Sequence, residues 1–201
     1  MRKQLLKFPK LTGPLRAYYN KYFGEKEIHY FFKKYKKYKN KYIFYDVGAN
    51  YGIFTFLFGR LSLLTISFDP IKECIEYIKR GYIYENILLV NQAVLDEETT
   101  LKINIPVEGN EKIFGKSSIS NQFDYSETRS IQTVTLDQYL EDIKKLNPEK
   151  LFIKIDVEGS EYNVINGGTN TLSSFDTTLL IEIEKRHNKK YLKIFTKLKK
   201  L

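Results

Sequence analysis

The sequence predicts an α/β fold: a doubly wound, mainly parallel sheet with a small antiparallel insertion. Three observations carry that expectation. Short apolar runs recur along the chain, at YIFYDV (42–47), LLTISF (63–68), ILLVNQAV (87–94), LFIKIDV (151–157) and TTLLIEIE (177–184). Segments of helical period separate most of them, which is the pattern of parallel βαβ units. The pattern is interrupted once, where TTLKINIP and SIQTVTL alternate with period 2 around a polar loop at 106–129. Such alternation marks half-buried antiparallel strands.

The elements follow in chain order. Residues 1–42 are rich in lysine and tyrosine and predict a basic, aromatic helical extension ahead of a domain over 43–201. Phe31, Tyr35, Tyr38 and Tyr42 are spaced 4, 3 and 4, which predicts one helical face packed on the domain, with lysines in solvent. The competing reading is a basic amphipathic helix on an anionic surface. The first strand ends near Asp46 and passes through a glycine turn into a helix over 52–61. A helix opens at Pro70, where proline suits the first turn. LDQYLEDIKKL is helical, a further helix begins near Ser160, and NKKYLKIFTKLKKL forms a terminal one.

Composition bounds the chemistry. The 201 residues suit one α/β domain. One cysteine, Cys74, excludes an internal disulfide and a multi-cysteine zinc site, and two distant histidines show no metal-ligand spacing. No metal is expected. Without a signal-peptide core or an apolar run of ~18 residues, the expected location is the cytoplasm. The net charge of +9 is unevenly distributed. Residues 1–42 carry a net +11 and 185–201 a net +8, whereas 43–184 carry a net −10. An acidic centre argues against a nucleic-acid groove through the domain.

The stretch DVGANYG (46–52) names the first candidate site. Gly48 and Gly52 permit a tight turn and close approach of a ligand, with Ala49 and Asn50 between them. The pattern is not the dinucleotide G-x-G-x-x-G, since Asn50 and Ile53 stand where glycines would be needed. Asp69 ends the second strand, where a carboxylate can accept both hydroxyls of a ribose or cap the helix at Pro70. Turn and acid together indicate an adenosine-type cofactor. Asp46 would repel a pyrophosphate. It suits the ammonium of S-adenosyl-L-methionine, with loop amides on the carboxylate of that cofactor. At the end of strand three, Asn91, Gln92 and Ala93 are placed for adenine contacts or are ordinary strand-end residues.

DVGANYG, SFDP (67–70), KIDVEGSE (154–161) and LLIEIE (179–184), in this order and spacing, resemble the FkbM family of S-adenosylmethionine-dependent methyltransferases. GKSSIS (115–120) and TLDQYL (135–140) are similar to its middle section. The resemblance covers about residues 42–185. It implies a Rossmann-like sheet of the class I methyltransferase type and O-methylation of a hydroxyl on a sugar, glycan or small metabolite. It also implies two further strands after strand five. The chain stops at Leu201, which predicts an exposed strand-five edge that a second copy or the N-terminal segment would cover.

Methyl transfer needs an aligned acceptor oxygen and a route for its proton. Asp156, ending the fourth strand, is the first candidate, because an acid there is costly without a role. Glu158 is the second, although Glu158 and Glu161 also suit a helix N-terminus. Glu182, in an otherwise apolar strand, is a further candidate, and Lys154 either pairs with an acid or points to an edge. Ser117, Ser118, Asn121 and Asp124 offer polar contacts to a sugar, or form an ordinary solvated loop. Two rival functions remain, a nucleic-acid methyltransferase suggested by the basic ends and a truncated binding module without catalysis. A nicotinamide-dependent dehydrogenase has the wrong glycine spacing.

Overall fold

The computed structural model describes residues 9–23, 26–81, 84–109, 111–119, 125–183 and 191–201. Asn121, Asp124, Glu184 and His187 lie outside the described residues. Two helices lead, α1 (Pro9–Phe23) and α2 (Lys26–Lys36). The main sheet is built from β1 (Tyr42–Val47), β2 (Leu64–Phe68), β3 (Ile87–Val90), β8 (Lys150–Ile155) and β9 (Thr177–Ile181). All pairs are parallel, in the order β3-β2-β1-β8-β9. The chain winds outward from β1 first to one side and then to the other. The switch point therefore lies beside β1, and ligands bind at the carboxyl ends of such strands.

The connections are α3 (Ile53–Phe58), α4 (Lys72–Gly81), α5 (Leu140–Lys145), α6 (Glu161–Asn166) and α7 (Thr169–Ser174), with α8 (Tyr191–Leu198) last. Alternation along β1 divides the core. Ile43, Tyr45 and Val47 join Ile66, Phe68, Ile153 and Ile155 on one face, against Val164 and Ile194. Tyr42 and Phe44 join Phe152 on the other, against Tyr35, Phe32, Ala17 and Phe58.

A second sheet is ordered β4-β7-β5-β6, from β4 (Ala93–Val94), β5 (Thr100–Glu108), β6 (Glu111–Lys112) and β7 (Ser126–Val134). The period-2 segments are its antiparallel pair, β5 with β7.

Four expectations need correction. The run 87–94 is not one strand: β3 ends at Val90, and Ala93–Val94 crosses to pair with Thr133 and Val134. Asn91 explains the break, because its side-chain amide donates to the Asp69 carbonyl at 2.9 Å. The helix after Gly52 lasts only to Phe58 before a tighter turn over Gly59–Leu61, and the helix at Pro70 starts at Lys72. Tyr42 is not helical. The helix ends at Lys36, and Tyr42 opens β1.

The aromatic residues still meet, around Phe152 of β8. Tyr35 and Phe31 stack on its ring at 4.5 and 5.1 Å, and Tyr35 lies 4.8 Å from Tyr42. Helix α1 runs through Gly13 and Pro14. A Cβ at Gly13 would lie 2.3 Å from the Phe56 ring, so glycine is what lets the helix close on α3. Thr12 Oγ1 also meets the buried Tyr77 hydroxyl at 2.9 Å. Strand β9 pairs only with β8 among the described residues. No described helix is long and apolar enough to cross a membrane.

Candidate active site

The carboxyl ends of β1 and β2 converge on the glycine turn. Gly48 has φ 75°, and a Cβ there would lie 1.9 Å from the Asp156 carbonyl, so only glycine allows β1 and β8 to end this close together. Asn50 is also left-handed, at φ 49°, a conformation asparagine tolerates better than most residues. Its amide donates to Asp69 Oδ2 at 2.7 Å, while the Ile71 amide donates to Asp69 Oδ1 at 2.8 Å. Asp69 therefore caps the chain entering α4, and each of its oxygens retains a second lone pair. Burial pushes its pKa up to about 6, against the two amide hydrogen bonds.

A cleft runs from this turn toward β4. Gly48, Asn50, Asp69, Ile71, Gln92 and Ala93 line it, joined by Asp156 and Glu158. The insertion closes it with Phe114, Gly115, Ser117 and Ile119. Of these only Ser117 is a sequence candidate; the others are not legible as lining, because a long-range pairing brings them in. Ser118 and Asn104 exchange backbone hydrogen bonds at 2.9 and 3.0 Å. Ser118 Oγ then donates to the Glu158 carbonyl at 2.9 Å, so its hydroxyl pins the insertion to the β8 turn instead of facing a sugar. The Ser117 hydroxyl oxygen is buried without a hydrogen-bond partner.

A second cavity of about 500 Å³ lies across the turn. Gly48, Asn50 and Asp156 are common to both cavities. Ala49, Tyr51, Phe54, Lys154, Leu180 and Glu182 line the second one, with Arg16 and Asn20 of α1. The leading helices are thus part of its wall.

Lys154 resolves its sequence ambiguity by pairing. Its ammonium donates to the Gly48 carbonyl at 2.8 Å and to Asp156 Oδ2 at 3.0 Å, and lies 3.9 Å from Asp46 Oδ1. Burial works against its charge, but Asp156 and Asp46 outweigh burial and hold it above the usual lysine range. Asp46 is fully buried beneath the turn, with Thr55 donating to Oδ2 at 2.6 Å and Oδ1 lacking a hydrogen-bond partner. Burial raises its pKa although Lys154 and Thr55 oppose the shift.

The remaining candidates separate. Asp156 reaches both cavities, with Lys154 on Oδ2 and no hydrogen bond to its second oxygen among the described residues. Glu158 lines the cleft with a left-handed backbone, φ 49°, an unfavourable conformation for a residue with a long side chain. Glu182 is exposed just past β9, at a rim shared with Asp156, Glu158 and Glu161. Glu161 is buried and accepts the Gly159 amide at 2.8 Å, a role inside the turn. Among the described residues no group of three or more His, Cys, Asp or Glu is arranged to hold a metal ion.

Three expected contacts are not in place. Asp46 and Gly52 line neither cavity: Asp46 is directed under the turn, and a Cβ on Gly52 would meet Ile78 at 2.7 Å. Asn91 lines neither and braces Asp69 instead. Four of the five amides over 48–52 are also committed. Those of Gly48 and Ala49 donate to the Phe68 carbonyl, that of Gly52 to the Ala49 carbonyl, and that of Asn50 to Asp69.

The sequence model of the methyltransferase FkbM domain matches residues 46–201, most of the chain. The chain belongs to the FkbM methyltransferase family. No curated protein and no solved structure matched it. The match begins at Asp46, so the glycine turn, Asp69, Asp156 and Glu182 all fall within the FkbM domain, whereas Arg16 and Asn20 come from helices ahead of it.

Proposed function

We propose that this FkbM domain is an O-methyltransferase that uses S-adenosyl-L-methionine and a hydroxylated acceptor, a sugar, glycan or small metabolite. The residues suit the cofactor: Asp69 keeps a lone pair on each oxygen for a ribose diol, and Ala93 and Ile71 offer small and apolar contacts for a base. A Cβ on Gly115 would lie 2.9 Å from Asn50 Nδ2, so glycine keeps this part of the cleft open. The cofactor, when bound, supplies an activated methyl group on sulfur.

The observation that carries the reading is the position of Asp156. It stands in the wall shared by the two cavities, with one oxygen fixed by Lys154 and the other without a hydrogen bond among the described residues. In this reading that second oxygen accepts the acceptor's hydroxyl proton as the acceptor oxygen takes the methyl group. Lys154 holds the carboxylate and the Gly48 carbonyl in one geometry, so the base and the cofactor turn are aligned together. Glu158 and Glu182 lie on the same rim and orient further hydroxyls.

Calorimetric titration with S-adenosylhomocysteine, with NAD as control, tests the cofactor. Micromolar binding that Asp69→Ala abolishes supports the reading. A folded sample that binds NAD instead, or neither ligand, overturns it. Asp156→Asn should then retain S-adenosylhomocysteine affinity and lose methyl transfer to hydroxylated acceptors by about 100-fold or more.

A further inference from the structure

We propose that Arg16 holds the carboxylate at the amino-acid end of the cofactor. The inference rests on the cofactor reading above, and assigns to α1 a contact that the glycine turn was expected to make.

Few donors remain for that carboxylate. In a turn of this kind the backbone N–H groups are the usual seat for a carboxylate. Here four of the five amides over 48–52, those of Gly48, Ala49, Asn50 and Gly52, donate within the protein, which leaves at most the Tyr51 amide beside Arg16. Lys154, the other cation lining the second cavity, is held by Gly48, Asp156 and Asp46. A carboxylate placed on Lys154 would have to compete with two acids already there.

Arg16 has no such commitment. It is half-buried in the wall of the cavity, and no described carboxylate pairs with its guanidinium. Its guanidinium carbon lies 5.4 Å from the centre of the Tyr51 ring, within the turn itself. An arginine resting on an aromatic face keeps its N–H edge available for two-oxygen recognition. A carboxylate matches that edge.

The helix is fixed in the rotation this requires. Thr12, Arg16 and Asn20 form one stripe at i, i+4 and i+8. Thr12 is tied to Tyr77, Gly13 is closed on Phe56, and Asn20 Nδ2 donates to the Arg16 carbonyl at 2.8 Å. Arg16 and Asn20 consequently face the cavity that contains Gly48 and Ala49. The acids of that cavity, Asp156 and Glu182, would repel a carboxylate, which further favours its seating on Arg16.

The test compares three ligands on the whole chain by calorimetry. S-adenosylhomocysteine carries the carboxylate, decarboxylated S-adenosylmethionine keeps the ammonium only, and 5′-methylthioadenosine lacks the amino-acid end. Arg16→Gln should weaken S-adenosylhomocysteine by roughly 10- to 100-fold, the range for a charge-assisted pair. It should leave 5′-methylthioadenosine and the decarboxylated ligand within about twofold of the unmodified protein, a ratio far below one tenfold step. Arg16→Lys, which keeps the charge and loses the fork, should fall between and guards against a misfolded glutamine variant.

An equal loss on all three ligands, or no loss on any, overturns the assignment while leaving the cofactor reading intact. Binding of none of them by the folded, unmodified chain overturns the cofactor reading, and this assignment with it.

Discussion

The Asn50 amide donates to Asp69 Oδ2 at 2.7 Å, which couples the turn after β1 to the acid that ends β2. The same carboxylate accepts the Ile71 amide on its other oxygen. Two acceptor positions remain, one per oxygen, and a vicinal diol has the matching pair of donors. Replacement by asparagine keeps the shape but turns one position into a donor facing an amide. The expected outcome is a loss of ribose recognition. The unmodified chain should prefer S-adenosylhomocysteine over its 2′-deoxy analogue by roughly tenfold, the cost of one unmade hydrogen bond to a charged group. Asp69→Asn should bind both weakly and without preference. Calorimetry with the two ligands reads this directly, and a preserved preference would remove Asp69 from the ribose site.

The same carboxylate makes two pH effects of opposite sign. Burial lifts its pKa from the usual acid range to about 6. Between pH ~4 and 6 the folded chain therefore binds a proton that the unfolded chain has released. The stability contributed by this group is complete below the unfolded value and declines as pH rises through 6. The decline is on the order of 3 kcal/mol. Binding runs the other way, since two acceptors for a diol require the ionised form. S-adenosylhomocysteine affinity should rise between pH 5 and 7 in the unmodified chain. Asp69→Asn should flatten both profiles. Denaturant unfolding and calorimetry across this range give the two slopes.

Lys154 sits between Asp156 at 3.0 Å and Asp46 at 3.9 Å; the lysine and Asp46 are buried, while Asp156 is partly open to the cavities. Removing one partner of a buried charge group leaves the others uncompensated. Asp46 already has one oxygen without a hydrogen bond. Lys154→Met should therefore cost about 3 kcal/mol, near the lower end for breaking a buried pair. For a chain of this size that lowers the melting temperature by roughly 6–12 °C. Adding Asp46→Asn should restore part of the loss, because the orphaned charge is gone. A double variant as unstable as the simple sum of its parts would show that the two groups do not interact.

The strands that border the two cavities were legible because each is an apolar run that stops at a polar turn. Asp69 and Asp156, which line the cleft, follow directly from that rule, whereas Asp46 is turned beneath the glycine turn. What remained illegible depends on contacts far apart in sequence. Nothing local shows that Asn91 will turn its side chain to the Asp69 carbonyl and send Ala93 into another sheet. Nor does the insertion reveal that Ser118 will pair with Asn104 and draw Phe114 over the cleft. Nothing local shows that Gly13 will let the leading helix close on the Phe56 ring and turn Arg16 to the cavity. Spacing alone also placed Tyr42 on a helix, since four residues from Tyr38 is equally compatible with a strand that begins in between.

Phe152 connects the leading helix pair to the sheet. Tyr35 stacks on it at 4.5 Å and Phe31 at 5.1 Å, while Phe44 and Phe58 close the other sides at 5.0 and 5.2 Å. Truncation at such a site removes the transfer energy and leaves a cavity, about 3–5 kcal/mol for a phenylalanine. Phe152→Leu, which retains more volume, should cost less than the alanine variant. Because α2 docks on this ring and α1 precedes it, loosening the stack should also disturb Arg16 while sparing Asp69. At a temperature where both variants stay folded, S-adenosylhomocysteine affinity should fall more than that of 5′-methylthioadenosine, and more for alanine than for leucine. Equal losses on the two ligands would mean that the aromatic stack supports the adenosine cleft and not the helix that carries Arg16.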